Sequence, residues 1–263
     1  MRGDRAERSA TETKVKRKVE GVARLGRPAF GCSSQRGLVG IAFLTLGAAR
    51  RGIDMYLFSR STRIGSPEGL AWAVTMTEHA KRASGLDIGL WGQVWSPEFG
   101  RITWTGFVPD LATLAAAGDK MNADAKMAAD AAKGAEHTTG GIDDALYNIV
   151  HGDLDPNAPQ AEYVTSVAAV CASGQLAKAM ATGVDIAQRA EKITGAPTMF
   201  ASNVTGVYGG VGWLTGFETI EALEAANQAM ATDADWVMEV DKVGSVFSSD
   251  AGATTQLIYR RFA

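Results

Sequence analysis

Between residue 56 and the end of the chain, the apolar positions switch repeatedly between a period of two and a period near 3.6. That is the mark of alternating strands and helices. Residues 56–64 read as a strand. Pro67 then opens a helix with Ser66 as its N-cap. Leu70, Ala73, Val74, Thr77 and Ala80 recur at helical spacing, and Gly85 stands where a C-terminal cap is expected. Residues 88–95 and 101–107 are strands joined by a Ser-Pro-Glu-Phe-Gly turn. A second helix covers 111–121, residues 123–133 extend it or add another, and 145–151 is a last strand. The segment Gly-Asp-Leu-Asp-Pro-Asn-Ala-Pro at 152–159 breaks regular structure. A second series begins near Glu162, with a long helix at 175–194 and strands at 198–205 and 209–217. Helices at 220–230 and 234–243 and a strand at 255–262 complete it.

The two series are copies. Gly85 pairs with Gly195, Val94 with Val204, Gly100 with Gly210, and Thr105-Gly106-Phe107 with Thr215-Gly216-Phe217, all at an offset of 110 residues. Upstream, Val74 matches Val184 at the same offset. After one deletion the register continues through Leu111 and Ile220, Leu114 and Leu223, and Met121 and Met230. The chain therefore divides into a leader at 1–54, repeat 1 at 55–152, a linker at 153–160 and repeat 2 at 161–263. Each repeat reads β-α-β-β-α-β, the ferredoxin-like split βαβ order.

On this element order and size the chain resembles the dimeric α+β barrel superfamily, with the flavour of its NIPSNAP, antibiotic-biosynthesis mono-oxygenase and EthD-like groups. The resemblance implies an α+β fold in which two fused repeats close one intramolecular barrel. It further implies a small, often aromatic molecule inside, handled by a cofactor-independent mono-oxygenase or isomerase. Some relatives bind haem through a histidine of the C-terminal unit. Here His79, His137 and His151 all precede Gly152, so haem is the lesser alternative.

Strand alternation assigns two faces. Ile88, Leu90 and Val94 belong under the helices, which leaves Trp91, Gln93 and Trp95 on the other face of repeat 1, opposite Ala201, Asn203 and Thr205 of repeat 2. On the next strands Arg101, Thr103 and Thr105 face Val211, Trp213 and Thr215, and the last strands add Tyr147, His151 and Tyr259. The candidate ligand-binding residues are therefore Trp91, Gln93, Trp95, Arg101, Asn203, Trp213 and Tyr259. Trp91 and Trp95 would stack a ring, and Gln93 or Asn203 would hold an oxyanion. His137, in a glycine-rich loop, and His151 are the candidate proton acceptors. Tryptophans at such positions also serve as packing between layers, and that alternative stands beside the ligand reading. His79, flanked by Glu78 and Lys81, is expected on a solvated helix surface.

Composition narrows the function classes. Hydrophobic residues make up 46% of the 263 and charged residues 21%, ordinary for a globular protein with a core. No phosphate-binding loop, nucleophile elbow or recognised metal-ligand spacing is present, so neither metal nor cofactor is expected. Two cysteines, Cys32 and Cys171, suit a cytoplasmic protein. A second copy of the chain is a further candidate partner, and a structural, oligomer-forming protein is the non-enzymatic alternative. Nucleic acid and membrane are not expected. The leader holds twelve Arg and Lys against five acids, a net +7 that leaves about −10 on the remainder. Its apolar run at 37–49 is too short to span a bilayer. It reads as an upstream extension, with a signal segment or a basic arm as alternatives. A chain begun at Met55 is expected to keep its melting temperature within about two degrees; a drop of many degrees would show that the leader packs on the core.

Overall fold

The computed structural model describes residues 55–98, 100–152 and 160–263. The expected leader at 1–54 and all but the last residue of the expected linker at 153–160 lie outside the described residues. The strands are β1 (Tyr56–Arg63), β2 (Ile88–Val94), β3 (Arg101–Val108), β4 (Asp143–His151), β5 (Tyr163–Val170), β6 (Thr198–Asn203), β7 (Gly210–Phe217) and β8 (Thr255–Arg261). The helices are α1 (Pro67–Ser84), α2 (Leu111–Ala123), α3 (Ala125–Ala132), α4 (Gly134–His137), α5 (Leu176–Thr194), α6 (Ile220–Thr232) and α7 (Ala234–Val243). The one-turn helix α4 replaces the expected loop around His137.

Capping explains where the helices begin and end, and it is duplicated. Ser66 accepts from the Gly69 amide at 3.3 Å, and Gly85 closes α1 in the left-handed region at φ 78°. Gly195 closes α5 in the same way at φ 69°. Asp110 caps α2 where Thr219 caps α6, and Asp124 caps α3 where Asp233 caps α7.

The strands form one closed antiparallel barrel in the order β1-β3-β2-β8-β5-β7-β6-β4. Within each repeat the order is that of the split βαβ. The repeats join edge to edge through β2 with β8, where Gln93 lies beside Tyr259, and through β4 with β6, where Tyr147 lies beside Asn203. The helices coat the outside. Ala73 of α1 packs on Leu90 and Ile102, and Ala187 of α5 packs on Phe200, Val211 and Trp213. Each long helix is also pinned by an indole: Trp104 Nε1 donates to Thr77 Oγ1 at 2.9 Å, and Trp213 Nε1 donates to the Gly183 carbonyl at 2.8 Å.

Those two tryptophans show where the duplication shifts register. Leu90 and Phe200 occupy equivalent outward places at an offset of 110, whereas Trp104 and Trp213 do so at 109. The deletion therefore falls in the β2–β3 hairpin rather than after β3. A one-residue slip exchanges the faces of a strand. Val211, Trp213 and Thr215 consequently face the helices, and Gly210, Gly212, Leu214 and Gly216 face the lumen. Trp213 is corrected from a lumen residue to a core residue.

The accessory helices are clamped in parallel ways. His79 of α1 is buried, contrary to its expected solvation, with Nδ1 3.0 Å from Asp130 Oδ2 of α3. The approach has ion-pair distance, but the ring nitrogen lies off the line of a hydrogen bond. In repeat 2, Arg189 of α5 holds Glu239 of α7 at 2.6 Å and Asp233 at 3.6 Å.

Because Trp213 belongs to the outer core, Trp213→Ala should cost about 3–5 kcal/mol in chemical denaturation. Trp213→Phe, which keeps a ring and loses the indole donor, should cost about 1–2 kcal/mol. Trp91→Ala, on the partly exposed lumen face, should cost less than Trp213→Ala. The reverse order would put Trp213 back in the lumen.

Candidate functional site: the barrel lumen

Lumen positions follow from the registers once the outward residues are fixed. Ser59 and Ser61 of β1, Gly89, Trp91 and Gln93 of β2, and Arg101, Thr103 and Thr105 of β3 point inward from repeat 1. Two side-chain contacts agree with this: Ser61 Oγ lies 2.9 Å from Thr103 Oγ1, and Trp91 Nε1 donates to Thr105 Oγ1 at 2.9 Å. The facing wall from repeat 2 is built from small or aliphatic groups: Val164, Ser166 and Ala168 of β5, Met199 and Ala201 of β6, and Gly212 and Leu214 of β7. In an eight-stranded ring β3 stands across from β7 and β2 across from β6. Polar and aromatic groups therefore look across at small ones, which leaves room between them.

Exposure supports that opening. Inward Ala168 is exposed and inward Val164, Ser166, Leu214, Leu257, Tyr147 and Tyr259 are partly exposed, while inward Ser61, Thr103 and Ala201 are buried, so the open part of the lumen lies along β5, β8 and β7.

One polar group converges toward the end where the β2–β3 and β6–β7 hairpins turn. Ser96 Oγ donates to Gln93 Oε1 at 2.9 Å, and Gln93 Nε2 donates to Tyr259 Oη at 3.3 Å. This leaves the Tyr259 hydroxyl proton for another acceptor. Tyr147, on β4, stands across the ring from β8. Arg101 acts on both phenols and is held by Glu98 at 3.3 Å and Asp143 at 3.1 Å. Around the same mouth stand Trp95, 75% exposed, Ile142 at 65%, Tyr208 at 88%, and Val204 and Val207. Together these side chains form an apolar collar.

The sequence-derived site residues divide accordingly. Trp91, Gln93, Arg101 and Tyr259 come together, and Asn203 faces inward at the end of β6 with Nδ2 donating to the Val207 carbonyl at 3.3 Å. Trp95 does not stack beside Trp91: its backbone is left-handed at φ 51°, which breaks strand alternation and sends the side chain to the rim. His151 lies beyond an irregularity between Ile149 and His151, so it pairs with outward Phe200 and sets Nε2 3.5 Å from Glu191 Oε2 on the helix side. His137 packs against Trp72 of α1 with ring centroids 5.8 Å apart, in the helical layer. Neither histidine is in the lumen. Tyr147, named as an inward residue but not as a site residue, and Arg261, whose guanidinium lies 5.6 Å from the Trp91 ring centre, belong to it. Continued alternation along 257, 259 and 261 was the available signal for Arg261.

Burial pushes the Tyr147 phenol above its ordinary value of 10.0; neighbouring Tyr259 pushes the same way and Arg101 opposes. Burial also raises Tyr259, against the Gln93 hydrogen bond and Arg101. Both are therefore neutral hydrogen-bond donors near neutrality. Because the folded values are raised, their contribution to stability is complete below pH 10 and is lost as pH rises through the folded values. Ultraviolet titration should show two phenols ionising above pH 10, with Tyr147→Phe and Tyr259→Phe each removing one. Ionisation of either below pH 10 would contradict the burial.

No family model matches the chain, and no curated protein matches it. Solved structures do. A candidate monooxygenase from Fusobacterium nucleatum is similar with a TM-score of 0.60 at 5% identity, covering 80% of this chain and 93% of that one. An anthrone oxidase-like protein gives 0.57 at 13% identity, covering 81% and 93%. A candidate monooxygenase from Lactobacillus acidophilus gives 0.55 at 9%, covering 79% and 94%. At these identities the likeness is one of fold. The chain shares with these structures a fold of two fused ferredoxin-like repeats closed into one α+β barrel.

Proposed function

We propose that this protein binds a small aromatic or enolic compound in its barrel lumen and acts on it as a cofactor-independent mono-oxygenase or isomerase. The observation that carries the reading is the lumen itself: a partly exposed wall of small residues on β5 and β7 faced by Trp91 and by the Gln93–Tyr259–Tyr147–Arg101 group. The apolar collar suits entry of a hydrophobic molecule, and the fold is shared with two candidate monooxygenases and an anthrone oxidase-like protein.

The chemistry would be carbanion chemistry. A carbon acid beside a carbonyl loses a proton, and the charge moves to the carbonyl oxygen as an enolate. The Tyr259 and Tyr147 hydroxyls donate to that oxygen, and the Arg101 field stabilises it. Asp143, inward on the same strand face as Tyr147, is the proton acceptor of this scheme in place of the two histidines. Return of the proton to another carbon completes an isomerisation. With dioxygen as co-substrate, a methylene becomes a carbonyl, one oxygen atom entering the product and the other leaving as water. A cytoplasmic setting goes with this reading, on the sparse cysteines.

The test is binding of uncharged N-phenylnaphthylamine, followed by its fluorescence. A Cβ built on Gly212 meets only the Val167 carbonyl, at 3.4 Å, so Gly212→Leu can fold with its side chain in the lumen. That variant should weaken the probe about tenfold or more, and Trp91→Ala should weaken it as well. Binding unchanged in both would end the lumen reading.

The second reading, a structural or oligomer-forming protein, is favoured by exposed Val237, Met238 and Val240 on α7. Light scattering separates the two: a monomer with a probe-binding lumen supports the first, and a large assembly whose lumen excludes the probe supports the second.

A further inference from the structure

Strand alternation puts four charged side chains on the inward face: Arg63 of β1, Arg101 of β3, Asp143 of β4 and Arg261 of β8. Each cation already has its counter-charge. Arg101 is held by Glu98 of the β2–β3 turn at 3.3 Å and by Asp143 at 3.1 Å, and the same Glu98 stands 3.8 Å from Arg63. Arg261 Nε donates at 3.2 Å to an oxygen of Ala263, the last residue of the chain, whose backbone oxygens form a carboxylate. That oxygen also accepts from the Leu90 amide at 2.8 Å, which holds it in place. Three cations thus meet three anions, and among the described residues no inward charge is left over for a ligand.

Hydrogen-bond donors are left over instead. Tyr259 Oη accepts from Gln93 and keeps its own proton to give. Tyr147, partly exposed, has a hydroxyl that bonds no other described residue. An ionised ligand entering this space would lose hydration and find no free partner. A carboxylate would have to draw Arg101 off two acids, and an ammonium would have to draw an acid off an arginine. A carbonyl group costs far less to desolvate, and two donors are free for it.

We infer that the lumen ligand is uncharged and is held by a carbonyl oxygen, so that its class is the neutral aromatic ketones, with carboxylic acids and amines shut out by the charge balance of the barrel itself. This rests on the lumen reading above and specifies its substrate class.

Three fluorescent probes, each titrated into the full chain, test it. N-phenylnaphthylamine is neutral, and anilinonaphthalene sulfonate adds one negative charge to the same ring system. Prodan is a neutral naphthyl ketone whose emission moves to the red when its carbonyl accepts a hydrogen bond. The unaltered protein should bind N-phenylnaphthylamine at least about tenfold more tightly than the sulfonate. Glu98→Gln combined with Asp143→Asn, both at exposed positions, frees Arg101 and Arg63. It should tighten the sulfonate about fivefold or more and leave N-phenylnaphthylamine within about twofold. Tyr147→Phe combined with Tyr259→Phe should weaken prodan about tenfold and move its emission to the blue. A sulfonate bound as tightly as its neutral counterpart, no gain in the charge variant, or prodan emission unmoved by loss of the phenols would each overturn the inference. If circular dichroism shows the charge variant unfolded, Glu98→Gln alone takes its place, with a gain of about threefold expected. Insensitivity of all three probes to Gly212→Leu is a different result: it removes the lumen site and this inference with it, whereas failure of the charge and carbonyl tests alone leaves the site standing.

Discussion

Each repeat makes a four-stranded sheet with two unpaired edges and one face that no helix covers. Pairing β2 with β8 and β4 with β6 removes all four edges at once and turns the two uncovered faces toward each other. Everything at the candidate site follows from that closure. Tyr259 reaches Gln93 only because β8 of one repeat is zipped to β2 of the other. The ring has an inside because the helices took the outside.

Closure alone would give a symmetric lumen, and this one is not symmetric. Repeat 1 places Trp91, Gln93, Arg101, Thr103 and Thr105 on its inward face. Repeat 2 places glycine, alanine, serine and aliphatic groups along β5, β6 and β7, and its larger polar groups come from Asn203 at the end of β6 and Tyr259 and Arg261 on β8. The helix side is more alike, with an indole pin on each long helix. The outer layer has kept what packing requires, while the inner layer has divided between groups that interact and groups that leave space.

The fold was legible because its signals are local and repeated: the Gly85 and Gly195 caps, the helical spacing after Pro67, the second copy of every element. Most of the repeat 1 lumen was legible from alternation alone. The failures on the strands lie where alternation is interrupted, while His79 and His137 were misplaced in the helical layer, to which strand alternation does not apply. The Thr-Gly-Phe triplets at 105–107 and 215–217 match by chance of register, and they drew the offset one residue too far. Aligning Trp104 with Trp213 would have placed Trp213 outside. The strand irregularity after Ile149 turned His151 outward, and the left-handed backbone at Trp95 carried that ring to the rim. None of these has a marker in composition: a bulge or a positive φ at a tryptophan is decided by tertiary contacts that periodicity does not contain.

The clamps on the accessory helices have a consequence of their own. His79 and Arg189 hold corresponding places on α1 and α5, as Asp130 and Glu239 do on α3 and α7. In repeat 2 the latch is a guanidinium, whose charge is permanent. In repeat 1 it is an imidazole that meets a single carboxylate, where the guanidinium of repeat 2 reaches two. Duplication has thus left one molecule with a forked fastening on one flank and a single one on the other, so the two flanks, alike in shape, differ in the number of ties that hold their accessory helix.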